Sequence, residues 1–170
     1  MNHADAKMTA AEGKEERVYY DDKSFKDTGG DGRADSKMSP PQVNVTSISI
    51  RPSGLVDIAS PINIQIAFEL DRDVVAGFWK VQMLVDSSNR RIIKVLGETE
   101  VEDYPDGDSE MNFSAPNIDV SGITPSTLTN SGLLMAVFMA DGDEVISVNM
   151  VVNVSKQGDQ IMREILDPLK

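Results

Sequence analysis

The sequence offers few side chains that could carry acid–base, nucleophilic or metal chemistry. It has no cysteine, and its single histidine, His3, stands in a stretch without apolar periodicity. A Ser-His-Asp triad needs a positioned histidine, and thiolate zinc sites need cysteine. Motifs for nucleotide or acyl chemistry, such as Gly-x-x-x-x-Gly-Lys-Ser/Thr and Gly-x-Ser-x-Gly, do not occur in the sequence. We therefore expect a protein that is not an enzyme and that uses no cofactor.

The densest group of ionisable side chains is a run of carboxylates between two predicted strands. Seven carboxylates fall within thirteen residues: Glu98, Glu100, Glu102, Asp103, Asp106, Asp108 and Glu110. The run lacks the central glycine and the closing glutamate of a calcium-binding loop. Three interpretations stay open, namely a solvated loop, a contact for a basic partner, and a calcium site. The solvated loop is favoured because neighbouring like charges repel, and we predict no metal site.

The overall charge narrows the class of partner. The formal net charge is −12 over 170 residues, and most of the excess lies after residue 44. Because lysine and arginine supply most phosphate contacts, this charge argues against direct nucleic-acid binding and favours a basic protein partner. No apolar run approaches the roughly 18 residues that a membrane span needs, and the N-terminus lacks an apolar signal core. We expect an intracellular protein with no membrane contact.

The chain divides into an arm and one domain. Residues 1–43 are predicted to be a disordered arm, since Gly29-Gly30-Asp31-Gly32 and Pro40-Pro41 would interrupt any regular element. Within the arm the only apolar cluster is Val18, Tyr19 and Tyr20, which is the expected anchor if the arm docks on a partner. Residues 44–170 are predicted to form the folded domain.

The domain has the sequence pattern of an all-β sandwich. Short runs rich in Val, Ile, Leu and Phe alternate with polar residues and are separated by turn residues. Seven strands are predicted, at residues 45–51, 62–68, 78–86, 91–96, 111–114, 133–139 and 145–154. Asp141-Gly142-Asp143 is predicted to turn between the last two strands, because an Asp-Gly pair tolerates positive φ angles.

Two further local features are predicted. Trp79 lies on the apolar face of an alternating strand, which indicates a core residue rather than a ligand platform. Near the C-terminus, Ile161, Ile165 and Leu169 recur every four residues. This spacing predicts a short amphipathic helix over residues 159–169.

Several motifs between Ser49 and Leu166 occur together in a recognisable order. They are Ile50-Arg51-Pro52, Ile64-Gln65-Ile66-Ala67-Phe68-Glu69, Trp79-Lys80-Val81, Val95-Leu96-Gly97, and Phe113 with Ala115-Pro116. The most specific motif runs from Asp141 to Asn153, and Arg163-Glu164-Ile165-Leu166 follows it. In order and spacing the set resembles the anti-silencing-function family of histone chaperones. The resemblance implies an immunoglobulin-like β-sandwich.

The departures from this family fall where the family binds its partners. The resemblance places the family's histone-binding arginine at Ser147 and its nearby tyrosine at Val151, whereas an apolar contact survives as Leu133. Its acidic contact falls on Ile92, and a second acidic pair falls on Ala76-Gly77. The charge-assisted hydrogen bonds to histone are therefore expected to be missing.

These observations predict a divergent, non-enzymatic member that serves as a scaffold or assembly subunit of a larger complex. Its cytoplasmic or cytoskeletal location, including a flagellum, is an expectation drawn from the lost histone contacts. The predicted partner-binding residues are Leu133, Met135, Ser147, Met150 and Val151. The alternative is an active, nuclear histone chaperone that binds the core histone dimer through a new acidic site, which the net charge supports.

Overall fold

The computed structural model describes residues 39–87 and 90–170. The predicted arm anchor at Val18, Tyr19 and Tyr20 lies outside the described residues, and the disorder of the arm stays a prediction. The elements are, in chain order, β1 (Val43–Arg51), β2 (Val56–Asp57), β3 (Ile62–Leu70), β4 (Val74–Ser87), β5 (Arg90–Glu98), β6 (Glu102–Tyr104), β7 (Gly107–Ala115), α1 (Pro125–Leu128), β8 (Gly132–Ala140), β9 (Asp143–Gln157) and β10 (Gln160–Ile165).

Two antiparallel sheets pack against each other. The three-stranded sheet has the order β1-β3-β7, and the seven-stranded sheet has the order β2-β10-β9-β8-β4-β5, with β6 paired to the start of β4. The predicted all-β sandwich is confirmed. The seven strands predicted from the sequence lie within β1, β3, β4, β5, β7, β8 and β9.

The core lies between the sheets and follows from alternation along each strand. In β3 the inward residues are all at most 4% exposed, and they are Ile62, Ile64, Ile66, Phe68 and Leu70. From β4, Trp79 is fully buried, as predicted, and its ring stacks on Phe138 with centroids 5.0 Å apart. Phe68 meets Trp79 edge-on at 5.2 Å, so an aromatic cluster joins the two sheets.

The hairpin turn between β8 and β9 is the predicted one. Ala140 pairs with Asp143, so the loop contains two residues, Asp141 and Gly142. Their φ angles are 52° and 79°, and positive values at both positions are what this class of tight turn requires. The Asp-Gly pair thus fixes the register between β8 and β9.

The predicted C-terminal helix is wrong, because residues 160–165 form β10, which pairs with β9 and with β2. A four-residue repeat such as Ile161 and Ile165 fits one face of a helix, but four is also a multiple of the two-residue period of a strand. The spacing therefore could not separate the two structures. Pairing with the long strand β9 satisfies the backbone of this segment instead.

Arg163 explains how β10 is fixed to the rest of the sandwich. Its side chain is 1% exposed, and its two terminal nitrogens donate hydrogen bonds of 3.0–3.3 Å to the carbonyl oxygens of Asp57, Ser60 and Pro61. These carbonyls lie in the segment that leads into β3. The guanidinium therefore ties β10 to β2 and to the loop that leads into β3.

A bulge near the start of β4 makes room for β6. Ala76 has a φ of 52°, and its N–H donates to the Asp103 carboxylate at 2.8 Å. At Gly77 a Cβ atom would lie 2.9 Å from the Phe138 ring, so a side chain there would press on the aromatic cluster. The two small residues let β6 reach β4. The sequence analysis did not predict β6.

Candidate functional site

The outer face of the seven-stranded sheet carries apolar side chains in a row across four strands. Strand register places Ile93 opposite Leu84, Leu84 opposite Leu133, and Leu133 opposite Val151. Ile93 and Val151 are 53% and 41% exposed, and the two leucines are half-buried. Because neighbouring strands lie about 4.8 Å apart, the row is about 14 Å long. These four residues are called the apolar row below.

Neighbouring side chains widen the apolar row. Val95 is exposed two residues beyond Ile93, and Leu166 is exposed next to Val151, whose carbonyl accepts the Leu166 N–H at 2.9 Å. Of the eight large hydrophobic residues that are exposed in the described ranges, Ile93, Val95, Val151 and Leu166 lie on this one face. Half of the exposed large apolar side chains of the described ranges therefore lie together on this one face.

The structure brings four of the five predicted partner-binding residues to this face. Leu133 and Val151 belong to the apolar row, and Met135 and Ser147 lie on the same face further along β8 and β9. The Ser147 hydroxyl donates to the Asn149 side-chain oxygen at 3.0 Å. Met150 was assigned to this surface wrongly. Its side chain is 0% exposed and faces the core, since successive residues of a strand point to opposite faces.

Sequence reasoning missed the half of the row that lies on β4 and β5. Leu84 stands between the core residues Met83 and Val85, so alternation alone requires it to face outward. Ile93 likewise follows Ile92, which pairs with Val85 and packs against the core. In both strands, an apolar residue at a position that alternation turns outward indicates a binding surface.

The carboxylate segment forms a second feature, a cleft of about 530 Å³ between residues 98–104 and β7. Four of the seven predicted carboxylates line it, and they are Glu98, Glu100, Glu102 and Glu110. No lysine or arginine is among the residues that line this cleft. Met111 and Phe113, which belong to the core of the described domain, supply its apolar side.

The other three carboxylates lie elsewhere. The Asp103 carboxylate accepts the Ala76 N–H, and the backbone N–H of Asp106 donates to the Asp73 carboxylate. Asp108 lies opposite Glu69 in the strand register, on the outer face of the three-stranded sheet. All seven carboxylates are exposed, as the favoured interpretation of a solvated segment predicts, but the segment is not a loop throughout, because β6 and the start of β7 lie within it. Within residues 39–87 and 90–170, no group of three or more metal-binding side chains is placed to hold an ion.

Hydrogen bonds hold the wall of the cleft in place. Thr99 donates its N–H to the Trp79 carbonyl at 2.8 Å, and its hydroxyl accepts the Trp79 N–H at 2.9 Å. Across the cleft, a hydrogen bond of 2.8 Å from Asn112 lowers the pKa of Glu110, so this carboxylate is ionised at neutral pH. The cleft is therefore a rigid, negatively charged site.

Comparison with known proteins adds no identity. Neither the protein-family models nor the curated proteins match this chain. Among the described residues, no helix has the length and apolar character to cross a membrane. The resemblance to histone chaperones accordingly rests on the sequence motifs.

Proposed function

We propose that this chain is a non-enzymatic protein-binding module, a scaffold or assembly subunit of a larger complex, which binds its partner through the apolar row. The observation that carries this proposal is the continuity of Ile93, Leu84, Leu133 and Val151 across four hydrogen-bonded strands. Single exposed apolar residues are common on proteins, but a contiguous patch on one face is typical of an interaction site.

Energetics support a protein partner. Full burial of an exposed valine or isoleucine contributes about 1.5–3 kcal/mol, and Ile93 and Val151, which are about half exposed, would each supply part of this when a partner covers them. Strand-borne side chains also lose little freedom on binding, because the sheet already holds their backbone. The row is open and holds no ionised group, so a complementary apolar surface of a partner fits it better than a small polar ligand.

We also propose that the module is a divergent relative of the anti-silencing-function chaperones. Support comes from the position of Leu133, Ser147 and Val151, which the resemblance aligns with the family's histone contacts and which share the face of the apolar row. Serine and valine cannot donate the charge-assisted hydrogen bonds of arginine. Apolar contact would then replace them.

Affinity capture of the native complex tests the main proposal. The double variant Leu133→Arg/Val151→Glu should weaken capture by about a hundredfold, because two charges would be buried in an apolar contact. The matched control Ser47→Arg/Ser49→Glu changes the outer face of the other sheet on β1, outside the cleft, and should leave capture unchanged. Raising the salt concentration should also have little effect. Equal loss in both variants would contradict the proposal.

The acidic cleft favours a second candidate function, an active histone chaperone. Four carboxylates without a basic neighbour in one cleft suit the basic surface of the core histone dimer. Under this candidate, purified histone dimer binds with submicromolar affinity, and binding weakens steeply with ionic strength and with Glu98→Gln/Glu100→Gln. A tagged chain would then be nuclear. A filamentous or organelle pattern with salt-insensitive capture supports the scaffold instead.

A further inference from the structure

The outer edge of β5 is open. β5 pairs with β4 on one side and stands at the end of the seven-stranded sheet. Within residues 39–87 and 90–170, no backbone hydrogen bond joins its other edge to a neighbouring element. Such an edge presents unpaired N–H and C=O groups, which can pair with a strand of another chain. β5 has nine residues, and this length is sufficient for a complete strand pair.

The outward side chains of β5 follow a self-complementary order. The register with β4 turns Arg91, Ile93 and Val95 outward, and the bulge that follows Val95 turns Glu98 to the same face. Ile93 and Val95 are 53% and 56% exposed. On this face the strand therefore begins with a positive charge, continues with two apolar residues and ends with a negative charge. An antiparallel pair reverses one of its strands, so this order fits a second copy of itself.

We propose that two copies of this chain pair through β5, in antiparallel orientation about a twofold axis that passes through Lys94. In this register Ile93 lies opposite Val95 of the second copy, and Arg91 lies opposite Glu98 of the second copy. The symmetry makes each of these contacts twice. Opposed apolar and opposite-charge pairs both stabilise antiparallel strands. A single strand pair buries less than the roughly 1,600 Å² of a standard interface, so we expect dissociation in the micromolar range.

Lys94 meets its own copy at the axis, but its contacts within the chain reduce the repulsion. It lies opposite the core residue Met83, so its side chain starts toward the inner side of the sheet. There its ammonium donates a hydrogen bond to the Ser121 carbonyl at 3.2 Å. Hydrogen bonds from Ser121, together with the charge of Lys94, lower the pKa of Asp119, so this carboxylate is ionised at neutral pH. Each Lys94 charge is thus compensated within its own chain.

Pairing through β5 has a consequence for the apolar row. A twofold axis perpendicular to the sheet leaves the outer faces of both copies on the same side. Ile93, which ends the row of one copy, then packs beside Val95 of the second copy. The two apolar rows form one continuous surface across the dimer. The inference goes beyond the proposed function and does not depend on a partner binding to the row.

Sedimentation velocity of the full chain should show a monomer–dimer equilibrium. Arg91→Glu and Glu98→Arg should each raise the dissociation constant by at least about tenfold, because each variant places two like-charge contacts across the axis. An equimolar mixture of the two variants should restore dimers of near-parental affinity. In the mixed dimer, both contacts between unlike copies are attractive.

Control variants separate these contacts from general charge repulsion. Lys156→Glu and Glu144→Arg make the same charge changes at exposed positions of β9 and should alter the dissociation constant by less than about twofold. A full chain that stays monomeric at about 300 μM, or a mixture no tighter than each variant alone, would overturn the proposal. Leu133→Arg/Val151→Glu should leave the dimer intact, so a failure of the apolar-row function would not remove this result.

Introduced thiols test the register, because the chain has no cysteine of its own. Ile93→Cys in one copy and Val95→Cys in the other place two thiols opposite each other, within the reach of a disulfide. Mild oxidation of this mixture should give a mixed disulfide, identified by mass spectrometry. In the control mixture Val95→Cys meets Val151→Cys, which lies three strands away from β5. Equal yields of mixed disulfide in the two mixtures would contradict pairing through β5.

Discussion

The two outer faces of the sandwich differ although their inner faces are built alike. On the three-stranded sheet, outward side chains bond to one another: the Ser114 hydroxyl donates to Asn63 at 2.6 Å, and Asn44 donates to Glu69 at 3.2 Å. On the seven-stranded sheet, the outward positions at the centre hold the apolar row. Both sheets bury alternate apolar residues in one core.

This difference shows which apolar residues the fold requires and which it does not. The polar face shows that a sheet of this sandwich can be stable with hydrogen-bonded Ser, Asn, Gln and Glu toward solvent. The apolar row is therefore not needed to hold its own sheet, whose inner residues already supply the burial. An outward apolar set that folding does not require is best explained by a surface that is covered in the assembled protein.

The largest expected effect comes from Trp79, a core residue that lies between the two sheets. Trp79→Ala should lower the free energy of unfolding by about 3–5 kcal/mol, because it removes the centre of the aromatic cluster that joins the sheets. Urea denaturation followed by far-UV circular dichroism measures this loss. A variant that keeps full stability but loses partner binding would place Trp79 at an interface and invert the assignment of faces.

Arg163 tests whether the anchoring of β10 to β2 and to the loop before β3 matters to the apolar row. Arg163→Ala should lower the free energy of unfolding by about 1–3 kcal/mol, since three carbonyl oxygens lose their donor. Thermal unfolding gives the magnitude, and Lys156→Ala on the exposed end of β9 is a control expected to change little. Below its melting temperature, Arg163→Ala should still bind the partner. Loss of binding in the folded variant would show that β10 belongs to the interface.

A single charge placed on each outer face tests which of the two faces binds the partner. Ile93→Asp should weaken partner binding by about tenfold while changing the free energy of unfolding by less than about 0.5 kcal/mol, because Ile93 is more than half exposed. Asn63→Asp places the same charge on the polar face and should change neither quantity. Titration calorimetry with the captured partner compares the two. Equal affinities of both variants would remove Ile93 from the binding surface.

How far the sequence predicts this arrangement depends on the element. The seven long strands and the Asp141-Gly142 turn were predictable, because alternation and turn chemistry are local. β6 was not, since Glu102 and Asp103 disfavour a strand and only the bulge at Ala76 allows pairing. The four-residue repeat in β10 predicts a helix although the segment is a strand, because this repeat fits both periods.

The candidate site was predictable in part for a related reason. Leu133 and Val151 lie on the expected face, but β9 is apolar on both faces over residues 150–152, so its phase is not evident from composition. Met150 was misplaced for this reason. The cleft could not be predicted, because residues 98–102 and β7 come together only when the two sheets pack.

The smallest expected effect lies outside both faces, at the bulge of β4. Ala76→Gly should raise the free energy of unfolding by about 0.5–1 kcal/mol, since glycine adopts a positive φ without strain. Gly77→Ala, next to it, should be destabilising because the added Cβ meets the Phe138 ring. Chemical denaturation distinguishes the two signs. Stabilisation by both variants would contradict the described packing of the bulge.

Site-specific photo-crosslinking in the native assembly tests directly whether the apolar row is the partner-binding surface. A photo-reactive phenylalanine derivative is placed at Val151 on the apolar row in one sample and at Gln65 on the polar face in another. If the apolar row binds the partner, position 151 gives one discrete crosslinked protein and position 65 gives none. Crosslinking from position 65 alone, or equally from both positions, would contradict the assignment of the apolar row as the partner-binding surface.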